Sequence, residues 1–186
     1  MKIPSQKQCF ALIQTMEMMD HIVDHSVMVG NIAVCLCSHL KKNTPSLNVE
    51  LITAAALLHD ITKTRSFRTG EVHSETGGEL LENMGYPEVG NIIRQHVILD
   101  CCKRNAPVSE PEIVNYADKR VLHDKVVPLS KRLEYIQVRY GENKGFQKRI
   151  AMMWEMTTAL ESKLFNLLPF SPSRLPEKVV PHIRRR

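Results

Sequence analysis

Aromatic side chains are scarce in this chain of 186 residues: five Phe, four Tyr and one Trp, 5% of the total. Leu, Ile, Val, Met and Ala dominate its 43% hydrophobic content, which favours helix packing over a β-sandwich. No run of 18 or more uninterrupted apolar residues occurs, so no transmembrane helix and no membrane partner are expected. Residues 1–7 lack the continuous apolar core of a signal peptide, which makes a cytoplasmic location the expectation. Cysteine is also limited, to Cys9, Cys35, Cys37, Cys101 and Cys102, with no C-x-x-C pair. An odd number without a secretion signal argues against a disulfide framework and for reduced packing cysteines. There is no internal repeat and no low-complexity segment. The net charge of +5, partly from Arg184, Arg185 and Arg186, is too modest to call for nucleic acid, and it suits a small phosphorylated substrate.

Helical spacing fills most of the chain. Helices are predicted over about residues 5–18, with Ser5 as N-cap, over 19–42, and from Asn48 to about Asp60. Residues 65–70 read as a loop. A helix over 74–84 ends at Gly85, and Pro87 opens the next, which reaches about Val97. Residues 100–109, including Arg104, look irregular. Ser109-Glu110-Pro111-Glu112 starts a helix that could run to His123, and Pro128 opens another, to about Gly141. The last long helix covers about Asn143 to Leu168, with a stripe of Phe146, Ile150, Met153, Thr157, Leu160, Leu164 and Leu167. That stripe packs on the chain's own core or forms a homodimer seam. Pro169, Pro172, Pro176 and Pro181 then imply an extended, solvated basic tail. No strong alternating strand is visible, so the expected fold is all-α, a helical bundle. Its expected divisions are an N-terminal helix (1–17), a main domain (18–140), a C-terminal helix (141–168) and the tail (169–186).

The chemistry-bearing residues follow one another as His25, His59-Asp60, His73, His96 and Asp118. Imidazole and carboxylate together suit Fe, Mn, Co, Ni and Zn, and six such ligands suffice for two ions. His59 and Asp60 are about 100° apart on an ideal helix, so both reach one ion only where the helix ends. Read singly, these residues have plainer readings. His25 shares an apolar face with Val29 and Ile32, as a packed core histidine does; His73 is a loop residue and His96 a helix-end residue.

His25-Ser26 with Val29-Gly30, then Leu57-Leu58-His59-Asp60-Ile61, then Tyr116-Ala117-Asp118-Lys119, resembles the HD-domain metal-dependent phosphohydrolase superfamily, in its HDIG-type binuclear subgroup. The resemblance spans residues 18–140 and implies a bundle with the metal site between helices. It implies that His25, His59, Asp60 and Asp118 hold one divalent metal and that His73 and His96 hold a second, with Asp60 bridging. Fe or Mn is favoured, and Ni, Co or Zn would also be accepted. Paired cations lower the pKa of a bridging water, so hydroxide forms near neutral pH and attacks phosphorus. Lys63, in His-Asp-Ile-Thr-Lys, resembles the family lysine that contacts substrate phosphate, which makes Asp60 and Lys63 the expected catalytic pair. Arg65, Arg68, Lys119 and Arg120 lie close in sequence and are further phosphate-binding candidates. His123-Asp124 is a decoy dipeptide, and Gly85-Tyr86-Pro87 is read as helix cap, aromatic and first-turn proline rather than a cyclic-di-GMP signature. The His-Asp-x-x-Glu-Asp pattern of alarmone hydrolases is absent. The expected function is hydrolysis of a nucleotide or other small phosphate ester. The alternatives are a ligand or metal sensor without turnover and a di-iron oxygenase using the same ligands.

Overall fold

The computed structural model describes residues 1–103, 105–140 and 144–185, with only the backbone at Tyr140, Lys144 and Phe146. The expectations for Arg104, Gly141, Asn143, Arg186 and the Phe146 side chain therefore lie outside the described residues. Among the described residues the fold is all-α apart from one small hairpin. Helix α1 (Gln6–Thr15) starts on a capping box between Ser5 and Gln8. Helix α2 (Asp20–Leu40) is the central rod, packed on α3 (Val49–Leu58) and on α7 (Glu110–Lys119). By length and its mean hydropathy of 1.3, α2 could cross a membrane, but two-thirds (67%) of that window is buried in the bundle. Its apolar surface is thus consumed by the core. Helix α3 is buried nearly all round and starts where the Asn48 side chain accepts from the amides of Glu50 and Leu51.

Helices α5 (His73–Asn83) and α6 (Pro87–Arg94) form a tight antiparallel pair. Gly85, at φ +82°, makes the sharp turn between them, and Pro87 opens α6. The pair touches backbone to backbone. A Cβ on Gly90 would lie 2.5 Å from the Gly78 carbonyl oxygen, and one on Gly78 would lie 2.8 Å from that of Gly90. This contact brings the start of α5 and the end of α6 to the same end of the bundle.

Four expectations need correction. Residues 65–70 are not a loop: α4 (Lys63–Thr69) occupies them, ending at left-handed Gly70. It buries no residue fully, so it leaves no apolar period in the sequence. Helix α7 stops at Lys119, short of His123, because a two-stranded antiparallel hairpin follows, β1 (Val121–Leu122) with β2 (Lys125–Val126). His123 takes φ +57° at its two-residue turn, as tight hairpins require. Helices α8 (Leu129–Tyr140) and α9 (Lys144–Phe165) then pack together. Ile150, Thr157, Leu160 and Leu164 of the expected stripe are buried, whereas Leu167 lies beyond α9 and is 38% exposed.

The fourth correction concerns the tail, which is not extended and solvated. A 3₁₀ turn (Pro172–Arg174) and a short α10 (Leu175–Lys178) lead to Ile183, which is buried against α2. Asn31 clasps Ile183 in both directions, donating to its carbonyl at 3.2 Å and accepting from its amide at 2.8 Å. Gly30 makes room, since a Cβ there would meet Ile183 Cδ1 at 2.5 Å. Arg185 pairs with Asp20 and Asp24. One continuous core therefore runs from Cys9 to Ile183.

Candidate metal centre

All six sequence-predicted ligands meet between α2, α3, α5, α6 and α7. His25 comes from the second turn of α2. His59 caps the C-terminal end of α3 and Asp60 follows it in a turn, the helix ending that lets neighbouring residues face one point. His73 opens α5, His96 lies two residues past α6, and Asp118 is in the last turn of α7.

Asp60 is central. Its Oδ2 lies 3.3 Å from His59 Nε2, and its Oδ1 lies 3.1 Å from His73 Nε2 and 3.6 Å from His96 Nε2. Asp118 Oδ1 lies 3.0 Å from His25 Nε2 and 3.7 Å from His59 Nε2. His73 and His96 approach to 3.2 Å between their Nε2 atoms. Donor separations of roughly 3 Å are the edges of a coordination shell with bonds of about 2.1 Å.

Three ring orientations are fixed from behind. Nδ1 of His25 donates to the His123 carbonyl at 3.0 Å, that of His59 to Ala56 at 2.7 Å, and that of His96 to Ile93 at 2.7 Å. A carbonyl only accepts, so each Nδ1 carries a proton, and in the neutral ring each Nε2 offers a lone pair inward, the arrangement that metal-binding imidazoles use. His123 is thus no ligand; its backbone oxygen orients one. The backbones of His73 and His96 are pegged as well. Thr62 Oγ1 donates to His73 O at 2.9 Å, and His96 O accepts from Asn115 Nδ2 at 3.0 Å and Lys119 Nζ at 2.8 Å.

The electrostatics suit a cation. Burial lowers the pKa of His25 and takes that of His96 to about 4, so both are neutral at pH 7. Burial pushes the His59 pKa down too, but the neighbouring Asp60 and Asp118 outweigh it and the net shift is upward. Burial would raise Asp60 and Asp118, yet Lys63 and His59 around the one, and Lys119, His25 and Arg132 around the other, hold both well below the usual carboxylate range. The Nε2 lone pairs of neutral His25 and His96 therefore face ionised carboxylate oxygens, 3.0 Å from Asp118 Oδ1 and 3.6 Å from Asp60 Oδ1, acceptor against acceptor. His59 Nε2 and Asp60 Oδ1 are buried with no hydrogen-bond partner among the described residues. Stranding such atoms is costly, and a shared cation relieves the cost. The residues present fit divalent metal.

A cleft of about 140 Å³ opens onto His25 and Asp60. Lys63 stands on its wall with Nζ 2.7 Å from Asp60 Oδ2. Burial alone would lower its pKa, but the charge of Asp60 raises it, so it remains a cation. The other expected phosphate contacts fare differently. Lys119 is buried and bridges Asp118 Oδ2 (2.8 Å) to His96 O, so it positions ligands rather than facing substrate. Arg120 is 2% exposed and is a strut, donating to Val127 O, Tyr116 Oη and Pro172 O and pairing with Glu161. Arg65 pairs with Glu71 at 2.8 Å, and Arg68 is exposed in the last turn of α4. Sequence proximity misled for these four because helix geometry, not chain distance, decides which side chains enter the cleft. The reading also missed Arg132, Tyr135 and Arg139, which line the cleft from α8. Their i, i+3, i+7 spacing on one helix face was the available signal.

The HD domain family model matches residues 22–120, more than half of the chain and every proposed ligand. The chain belongs to the HD domain family. HD domains bind divalent metals and are in general metal-dependent phosphohydrolases. This HD domain is 27% identical over 147 residues to an uncharacterized protein of Methanocaldococcus jannaschii, covering 72% of this chain and 86% of the relative. It is 31% identical over 96 residues to a tRNA (cytidine(56)-2'-O)-methyltransferase of Thermoplasma volcanium, covering 51% of this chain. It is 26% identical over 144 residues to Ribonuclease Y of Petrotoga mobilis, covering 69% of this chain. The match spans only 26% of the length of each of these last two proteins. No solved structure matches the chain.

Proposed function

We propose that this HD domain hydrolyses a phosphate ester of a nucleotide, using two divalent metal ions of which Fe or Mn is favoured. His25, His59, Asp60 and Asp118 would hold one ion, and Asp60, His73 and His96 the other. The observation that carries this reading is the inward set of four Nε2 atoms around the two carboxylates, with His59 Nε2 and Asp60 Oδ1 buried and without a hydrogen-bond partner among the described residues. Ions held there would neutralise charge on the phosphoryl oxygens and supply a water acidified enough to ionise near neutral pH.

The chain's own residues do the rest. The three Nδ1–carbonyl bonds keep the imidazoles in one tautomer and one orientation. Lys119 ties the Asp118 side to the His96 side, so the ligand groups keep a fixed spacing. Lys63 brings a permanent positive charge to the cleft wall, where a phosphoryl group would enter. Phe67, 55% exposed, and Tyr135 line the same cleft as Lys63, flat apolar surfaces suited to a nucleobase. One relative is a ribonuclease by name, which agrees with nucleotide phosphate chemistry. The cations at the cleft favour phosphate over an oxygenase substrate.

The test is a phosphate-release screen on metal-loaded protein across nucleoside monophosphates, cyclic nucleotides, dinucleoside polyphosphates and non-nucleotide sugar phosphates. The expected result is turnover confined to nucleotide esters and lost on chelation. Turnover of sugar phosphates alone would refute the nucleotide reading, and none at all with metal bound would refute hydrolysis.

A further inference from the structure

Arg132 stands out among the groups around the cleft. Its side chain is 15% exposed, and its Nε is buried with no hydrogen-bond partner among the described residues. Its Nη2 lies 3.8 Å from Asp118 Oδ1, too far for a hydrogen bond. Asp118 already has a closer partner in Lys119 Nζ at 2.8 Å. The guanidinium is therefore not needed to satisfy Asp118. It rests beside the Tyr135 ring, 5.8 Å from the centroid, which restricts its swing. The result is a held guanidinium that makes no hydrogen bond among the described residues, on the cleft wall supplied by α8, where Lys63 of α4 also lines the cleft. A planar guanidinium offers two parallel N–H donors to two oxygens of one phosphoryl group, which an ammonium cannot do.

We propose that Arg132 is the substrate-binding residue that grips the phosphoryl group undergoing hydrolysis, through its two terminal Nη groups. This rests on the phosphohydrolase reading above and deepens it. Arg132 would supply bidentate orientation and Lys63 a point charge, so the substrate is a group with at least two non-bridging oxygens on phosphorus. Tyr135 would act as a positioning residue for the guanidinium.

The experiment titrates inorganic phosphate into metal-loaded wild type, Arg132→Ala and Arg132→Lys, with metal content, melting temperature and steady-state kinetics measured on each. Losing a charged bidentate contact should weaken phosphate binding and raise KM by roughly ten- to a hundredfold in Arg132→Ala. Arg132→Lys should recover only part of this, because it restores charge without the fork. Both variants should keep the wild-type metal content. Phosphate binding that is unchanged in both variants overturns the proposal, even if the wild type hydrolyses nucleotides. Lost metal in the folded Lys variant also overturns it, by making Arg132 a support for Asp118. If the wild type hydrolyses nothing, yet Arg132→Ala still loses phosphate, the clamp stands and the hydrolase reading fails.

Discussion

Gly90→Ala should disturb the metal centre without touching it. The new methyl carbon would sit 2.5 Å from the Gly78 carbonyl oxygen and 3.3 Å from both the Gly78 carbonyl carbon and the Glu82 nitrogen. Carbon–oxygen contacts settle at about 3.3 Å or more, so the α5–α6 backbones must part by roughly 0.8 Å. Both obstacles are backbone, which puts the overpacking cost at the upper end of its usual range, about 3 kcal/mol. Replacing a helical glycine by alanine returns about 1 kcal/mol. The net loss is about 2 kcal/mol, a fall of roughly 4–8 °C in Tm for a domain of this size. Because α5 carries His73 and α6 leads to His96, the same shift should weaken the second metal more than the first. Gly70→Ala is the control: it meets nothing within 4 Å and strains only a left-handed residue outside the centre. Calorimetric melting with and without metal, together with metal stoichiometry, reads both effects. A Gly90→Ala protein that melts with the wild type and holds metal equally well would refute the close-contact argument.

Further outcomes follow from single side chains. Lys63→Ala should raise KM or lower kcat severalfold while leaving the metal content intact; loss of metal would show that its contact with Asp60 is structural. Iodoacetamide at pH 8 should label exposed Cys101 in the native protein and spare Cys9, whose thiol burial pushes up to about 12, and Cys35 and Cys37, which are also buried and shifted upward; mass mapping reads the pattern. The Cys9 shift also carries a pH sign. Its stabilising contribution is whole below pH 9, where the unfolded thiol is neutral too, and falls away as pH rises from 9 towards 12, which a melting series above pH 9 would detect. Asn31→Ala should free the C-terminal strap by removing both of its bonds to Ile183, and limited proteolysis should then cut near residue 180 faster than in the wild type.

That His25, His59, Asp60, His73, His96 and Asp118 would gather at one place was legible through their order along the chain and the family resemblance, and several of the helices that carry them have local start signals. Asn48 starts α3, Pro87 starts α6, and the Ser109–Glu112 capping box starts α7, whereas the end of α7 beside Asp118 is set by the hairpin that follows and was not legible. Other features depend on partners far along the chain. Arg120 looks like a surface cation until Glu161 and Pro172 are brought to it by α9 and the strap. The tail's prolines read as extended structure, and only the close packing of its side chain on Gly30 reveals that Ile183 is a core residue. Arg132 escaped notice because it lies outside the motif and approaches Asp118 only through the packing of α8 over the hairpin.

The most direct test of the central claim is the metal content per chain of wild type and Asp60→Ala, each purified without chelators and reconstituted with Fe or Mn. Asp60 stands between the His59–Asp118 and His73–His96 groups, so the account expects two ions in the wild type and neither bound stably in the folded variant. Two ions retained by Asp60→Ala, or none taken up by the wild type under any reconstitution, would contradict it.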